Sequence, residues 1–330
     1  MSNIVYLVTL PNGYFISAGQ SWLSIDVNYL ECAISDRGYT VVRITIDKLA
    51  GLDVYKDDFL IYTSSPEEHI REYIKNSLYF FSGKCNLIPK YEFLLAHEDK
   101  GFQEILKREL EIKGLSAFYH YDIDAYSHGN YPVVFKTVDG AGSAGVELVK
   151  NESERISIKR KLFSLSLFRS ILLFMRWLKL SKDEFNFYKY RHKGFRPFIL
   201  QEFVEGLECD YKILIFSDRY FGLKRYTKKN DFRASGSGYF NNESEIPEDV
   251  LNYSAFIFDK MKVPFLSLDI AYLDECCYLI EYQVLNFGPL TLTSSKFHYW
   301  RKKESWVKVE GKASLDENYA HAYADYLSKF

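Results

Sequence analysis

Cysteine is scarce. The 330 residues hold five (Cys32, Cys85, Cys209, Cys276 and Cys277), an odd number with no metal-ligand spacing. That count argues against a disulfide framework, and the adjacent Cys276 and Cys277 fall in a predicted turn, so the thiols read as reduced and structural. The seven histidines form no HExxH pattern and there is no GxSxG elbow, which removes the commonest zinc-protease and serine-hydrolase signatures. No run of about 20 uninterrupted apolar residues occurs, so no spanning helix is expected. The opening MSNIVYLVTLPNGYF lacks a charged n-region and reads as a first β-strand rather than a signal peptide. A net charge of −2 argues against a molecule that is basic throughout and binds nucleic acid. The expectation is a cytoplasmic protein, and at 47% hydrophobic it is long enough for two or three sub-domains with their own cores.

Residues 1–95 alternate strand and helix. Ile4–Thr9, Thr40–Ile44 and Phe59–Tyr62 read as strands, and Ile25–Arg37 and Pro66–Leu78 as helices, which suggests a small open α/β domain with a parallel sheet. The loop Ile16–Ser21 would lie near the C-terminal edge of the first strands, where such sheets bind ligands, although a plain surface loop is the commoner outcome. Ala96–Phe118 reads as a cap, a charged amphipathic helix and a glycine stop, with Lys100 at the helix start, where a cation gains nothing from the helix dipole. A lysine there could face a phosphate or simply be solvated.

In Tyr131–Lys150 (YPVVFKTVDGAGSAGVELVK), Gly140, Gly142 and Gly145 match GxGxxG. A dinucleotide fold needs a helix after those glycines, and Val146–Val149 is strand-like instead. The segment is therefore expected to be a β-hairpin with a glycine-rich tip that includes Ser143. Such a tip lets backbone N–H groups close over phosphates, and Lys136 on the first strand is placed to reach them. An ordinary flexible hairpin is the plainer reading.

From Lys159 to Arg196 there are eleven Lys/Arg against two acids, Asp183 and Glu184. Leu162–Leu180 (LFSLSLFRSILLFMRWLKL) is apolar over much of a helix circumference, with Arg169, Arg176 and Lys179 grouped on one side. Such a helix more often packs on its own protein, and the other reading is contact with an anionic membrane over 159–182. Arg196–Phe216 holds two strands around a turn at Gly206. Glu202, Glu205, Glu208 and Asp210 are numerous for a sheet segment, and a linker with backbone N–H and C=O groups beside a carboxylate suits an adenine and its ribose. Gly222–Gly238 supplies Arg225 and Arg233, whose planar forks suit phosphate or carboxylate. Residues 296–330 form a tail with a short final helix and no evident chemistry.

The densest stretch is SLDIAYLDECCYLIEYQVLNFGP. Pro264–Tyr272 and Cys277–Leu285 read as two strands around a turn at Asp274-Glu275. Glu281 and Gln283, two apart, share a face, and Asp269 on the neighbouring strand is close enough to join them. Two carboxylates and an amide oxygen make a hard, oxygen-only site of the kind magnesium uses with substrate phosphates. The plainer reading is a half-exposed polar sheet face.

Taken in order, these features resemble the ATP-grasp superfamily, most closely its RimK-like carboxylate–amine ligase branch. The resemblance covers about residues 96–290. It implies an α/β (α+β) chain: a small Rossmann-like domain at 1–95, an ATP-grasp domain at 96–295 with a lid hairpin at 131–150 and a basic helical insertion at 151–197, then the tail. It also implies ATP and Mg2+ as cofactors. Lys100 and Lys136 resemble the phosphate-contacting lysines, and Gly140, Gly142, Ser143 and Gly145 resemble the mobile loop over the phosphates. Gln201, Glu202, Phe203 and Val204 resemble the adenine linker, and Glu208 the ribose carboxylate. Arg225 and Arg233 resemble the arginines near the transferred phosphoryl and acyl phosphate, and Asp269, Glu281 and Gln283 the metal ligands. Two departures stand out. The family commonly carries Glu-x-Asn where this chain has Glu281-Tyr282-Gln283, and the insertion at 151–197 is not a general feature.

The resemblance implies an ATP-dependent ligase that forms ADP, phosphate and an amide. A high content of Tyr, Lys and Asn suggests an AT-rich bacterial genome. The expected substrates are an amino acid and a uronic acid of a surface polysaccharide or its precursor, with a peptide or small-metabolite ligase as the near alternative. A kinase acting on a hydroxyl and a non-catalytic nucleotide-binding scaffold are the rival classes. No nucleic-acid partner is expected, and the place is the cytoplasm or the inner face of the membrane.

Overall fold

The computed structural model describes residues 3–15, 24–127, 129–139, 145–162, 167–191, 195–229, 231–303 and 305–330, apart from the side chains of 169 and 188–191. The chain leaves its first compact unit at Gly114, builds a second over Leu115–Glu205, and returns to the first at Gly206.

The first pass through unit 1 contains β1 (Ile4–Thr9), α1 (Val27–Ser35), β2 (Thr40–Thr45), β3 (Phe59–Tyr62), α2 (Glu68–Tyr79), β4 (Asn86–Ile88), α3 (Tyr91–Ala96) and α4 (Lys100–Glu109). The four strands form a parallel sheet in the order β2-β1-β3-β4, as the strand–helix alternation predicts. β1 and β3 are buried almost throughout, and their β-branched and aromatic residues suit a sheet covered on both faces. Asp26 caps α1 by accepting from the Asn28 and Tyr29 amides, and Asp99 caps α4 by accepting from Phe102 N–H. The loop expectation at 16–21 lies outside the described residues.

Unit 2 contains β5 (Ala117–His120), β6 (Val133–Thr137), β7 (Val146–Val149), α5 (Glu152–Leu162), α6 (Leu167–Trp177), α7 (Lys182–Arg191) and β8 (Phe198–Glu202). Its antiparallel sheet runs β5-β8-β6-β7 over a core of Ile123, Val133, Phe135, Val149, Ile158, Phe198 and Leu200. The expected hairpin is present, with Lys136 opposite Val146.

The return pass builds β9 (Cys209–Phe216), β10 (Arg219–Tyr226), β11 (Phe240–Asn241), α8 (Glu248–Met261), β12 (Phe265–Leu273), β13 (Cys276–Gln283), α9 (Leu290–Ser294), β14 (Phe297–Lys302), β15 (Ser305–Glu310) and α10 (Leu315–Leu327). Six strands run β13-β12-β9-β10-β14-β15, and β11 pairs with β10. The two strands flanking Gly206 therefore pair in separate sheets: β8 with β5 and β6, β9 with β10 and β12. On one face of the large sheet, Tyr211, Ile213, Ile215, Leu266, Leu268 and Ile270 pack with Val250, Leu251 and Ile257 of α8. On the other, Leu214, Phe216 and Phe265 pack with Tyr319 and Tyr323 of α10. α10 opens on a Ser314 cap, its hydroxyl accepting from Glu317 N–H, and its Tyr319, Ala322, Tyr323 and Leu327 are core residues.

One packing expectation is corrected. The apolar residues of α6 do not bury against the chain: Leu167, Phe168, Phe174 and Trp177 are 80%, 70%, 59% and 55% exposed. None of the described apolar clusters includes a residue of α6. Among the described residues α7 packs beside this helix and leaves its apolar face open. The helix also ends at Trp177, so Lys179 follows it rather than riding on it.

Candidate active site

The hairpin β12–β13 is closed by a two-residue turn, Leu273 pairing with Cys276. Asp274 and Glu275 fill it at φ +49 and +62, the left-handed pair a tight hairpin needs. Asp269 pairs with Glu281 and Ser267 with Gln283, but Ile270 pairs with Leu279. Ile280 is thus the extra residue of a β-bulge. The bulge resets the alternation, so Leu279 stays in the core while Glu281 and Gln283 share the face of Asp269.

On the next strand Lys212 pairs with Asp269, and one step further Asp210 pairs with Arg225 of β10. A polar patch thus crosses four strands. Arg225 binds Asp210 with Nε–Oδ1 2.6 Å and Nη2–Oδ2 2.8 Å, and its Nη2 also reaches Asp269 Oδ2 at 3.0 Å. Lys212 Nζ donates to Asp269 Oδ1 at 3.2 Å. Two carboxylates share one buried guanidinium. Burial of Asp210 raises its pKa against the pull of Arg225, whereas burial of Asp269 is outweighed by Arg225 and Lys212 and its pKa falls. Asp269 is therefore the more acidic of the two carboxyls, which suits a metal ligand.

Helix α4 brings a third cation. Tyr282 on the opposite face of β13 donates to the Gln103 carbonyl at 3.4 Å, and Gln103 Nε2 donates to Ala96 O at 3.1 Å. Those contacts seat the start of α4 so that Lys100 Nζ lies 3.9 Å from Glu281 Oε1. Lys100, Lys212 and Arg225 against Asp210, Asp269 and Glu281 leave the patch near neutral. Asp269, Glu281 and Gln283 present the oxygen donors that magnesium prefers. Among the described residues no group of three or more His, Cys, Asp or Glu is gathered for a metal, so any such site needs the Gln283 amide or substrate oxygens.

Arg233 is tied to its own neighbour, Nε–Oδ1 2.9 Å and Nη2–Oδ2 2.8 Å to Asp231, and this pair lowers the Asp231 pKa. Glu208 is exposed, and its carbonyl accepts from Thr227 N–H at 2.9 Å.

Within unit 2, Lys136 and Gln201 are 7% and 2% exposed, and Lys136 Nζ donates to Gln201 Oε1 at 2.7 Å. Glu202 is exposed and accepts from Ser116 N–H at 3.3 Å, and Phe203 and Val204 are half-buried. Gly145 adopts φ +71, and its carbonyl accepts from Thr137 N–H at 3.1 Å. A Cβ on Gly145 would meet Thr137 Oγ1 at 2.3 Å, so the hairpin needs glycine there. Gly140, Gly142 and Ser143 lie outside the described residues.

Sequence reasoning gave no role to Lys212 or Asp210. The available signal was two charges, Asp210 and Lys212, on alternate positions of a strand otherwise built for burial.

No protein-family model matches the sequence, and no curated protein matches it either. Solved structures do. The structure is similar to a RimK domain ATP-grasp protein from Sphaerobacter thermophilus, with TM-score 0.52 and 11% identity over 98% of this chain and 99% of that one. It is similar to D-cycloserine synthetase, with TM-score 0.54 and 14% identity over 99% of both chains. It is also similar to a RiPP-associated ATP-grasp ligase from Chryseobacterium gregarium in complex with ADP and a leader and core peptide, with TM-score 0.54 and 12% identity over 99% and 97%.

Proposed function

We propose that this chain, which has the ATP-grasp fold, is an ATP- and magnesium-dependent ligase joining a carboxylate to an amine through an acyl phosphate. The observation that carries the reading is the cross-strand row Glu281–Asp269–Lys212, with Arg225 and Lys100 beside it. Carboxylates and cations gathered on one sheet face suit a phosphate chain and its metal better than they suit packing.

In this reading the acceptor carboxylate attacks the γ-phosphorus of ATP, the bond to the β,γ-bridging oxygen breaks, and ADP leaves. The amine nitrogen then attacks the acyl carbon and loses a proton, and phosphate departs. Magnesium held by Asp269, Glu281 and Gln283 would neutralise phosphate charge. Lys100 and Lys136 contact phosphates. Gly140, Gly142, Ser143 and Gly145 are assigned to the same phosphates, with the role of keeping water from the acyl phosphate. Gln201, Glu202, Phe203 and Val204 receive the adenine, and Glu208 the ribose. Arg225 holds Asp269 in place, and its Nη1 group, engaged by no described residue, is the end left for a phosphoryl oxygen. Arg233 steadies the tetrahedral oxyanion by exchanging its bond to Asp231 for the substrate. The acceptor in this reading is a uronic acid of a surface polysaccharide or its precursor, joined to an amino acid. The support is the excess of Lys and Arg over 159–196, which suits an anionic substrate.

The test is ADP and phosphate release over a matrix of carboxylates crossed with amines, beside a Glu281→Ala control. Release that needs both partners and is lost in the control is expected. AMP and pyrophosphate as products would sink the mechanism. Release with a hydroxyl compound alone would make the chain a kinase. Turnover only with peptides or small metabolites would remove the glycan.

A further inference from the structure

Helix α6 carries an apolar face that the described residues leave exposed. Leu167, Phe168, Ile171, Phe174, Met175 and Leu178 recur at i, i+1, i+4, i+7, i+8 and i+11, one face at helical spacing. Every one of them is about half exposed or more, from 49% at Met175 to 80% at Leu167. Burying such a face removes a large apolar area from water, so some partner is implied. No helix among the described residues is long and apolar enough to cross a membrane, which leaves a helix that lies on a surface.

Charge identifies the surface. The segment Lys159–Arg196 carries eleven Lys/Arg and two acids inside a chain whose net charge is −2. Lys161 and Lys159 are engaged by Glu147 and Asp124, but Lys179 and Lys182, which follow the helix, are exposed. An apolar stripe followed by exposed cations, with Phe168 and Phe174 among its residues and Trp177 at the helix's end, complements lipid tails below anionic headgroups. A second copy of the chain would set those cations against one another.

We propose that α6 and its basic flanks form an in-plane anchor that lays the apolar face into an anionic lipid surface. Lys179 and Lys182 meet the headgroups. The face enters to the depth of the upper acyl chains, about 5–10 Å. The anchor stands apart from the ligase reading, because binding needs no nucleotide and no catalytic residue.

The experiment is co-sedimentation of the full chain with phosphatidylglycerol vesicles and with phosphatidylcholine vesicles, at low and high salt, following Trp177 emission against a Trp177→Phe control. Retention on the anionic vesicles, weakening with salt and accompanied by a blue shift lost in Trp177→Phe, is expected. Lys179→Gln with Lys182→Gln should weaken retention roughly 25-fold, about fivefold per basic residue. Ile171→Glu with Phe174→Glu should abolish it without moving the thermal midpoint, since both side chains are already exposed. Failure of the native chain to bind at low salt would overturn the proposal, as would equal binding by the Ile171→Glu/Phe174→Glu variant. A concentration-dependent dimer that this variant dissolves, in the absence of vesicle binding, would show that the face meets a second copy and would also overturn it.

Discussion

Arg225→Met removes the cation that two carboxylates share. Asp210 is 4% exposed and its contacts to Arg225 are 2.6 and 2.8 Å, so water does not replace the lost partner, and Lys212, already bonded to Asp269, offsets the loss only in part. Breaking a buried pair on one side costs about 3–5 kcal/mol, because the remaining charge stays desolvated. That is a large share of a typical folding free energy of about 5–15 kcal/mol. The loss also has a pH signature. Asp210 already has a raised pKa from burial, and without Arg225 both it and Asp269 rise further. The folded state then binds more protons than the unfolded state near neutrality, so stability falls as pH rises. Urea unfolding at pH 8 and pH 5.5 should therefore show a larger deficit at pH 8. Asp210→Asn in the Arg225→Met background should recover part of it. A deficit under about 1 kcal/mol at pH 8, or one that does not shrink at pH 5.5, would refute the shared-cation account.

His97 is 6% exposed, and burial together with Arg71 and Lys75 lowers its pKa from 6.5 to about 3. The unfolded chain takes up that proton first, so stability falls as pH drops from 6.5 toward 3. About 2 kcal/mol should be lost by pH 5, and His97→Gln should remove that component of the denaturation profile. Gly145→Ala should cost more than Gly206→Ala. Both sit at positive φ, but only the first meets an atom, Thr137 Oγ1 at 2.3 Å, so faster amide exchange at Thr137 should follow in Gly145→Ala. Glu281→Gln should raise the magnesium needed for ATP turnover at least about tenfold, while Glu275→Gln at the exposed hairpin turn should leave it unchanged.

Local pattern alone determined much of this protein. Alternation and caps marked β1, β3, α4 and the hairpin β6–β7, because each is dictated by neighbours within a few residues. The same reasoning put Glu281 and Gln283 on one face of a strand and Asp269 near them on its neighbour. It did so without seeing the bulge at Ile280. Consecutive Leu279 and Ile280 break the period of two, and only pairing with β12 decides which residue is extra. Lys212 and Asp210 stayed without a role for a related reason: β9 acquires its functional face from β12 and β10, which lie far away in sequence. The length and burial of the C-terminal α10 were equally unreadable, since its Tyr319 and Tyr323 are core residues only once Phe216 and Phe265 come beneath them. The fate of α6 was undecided by its sequence as well. An amphipathic helix states that it needs a partner, and only the tertiary structure shows that the described residues leave its face exposed.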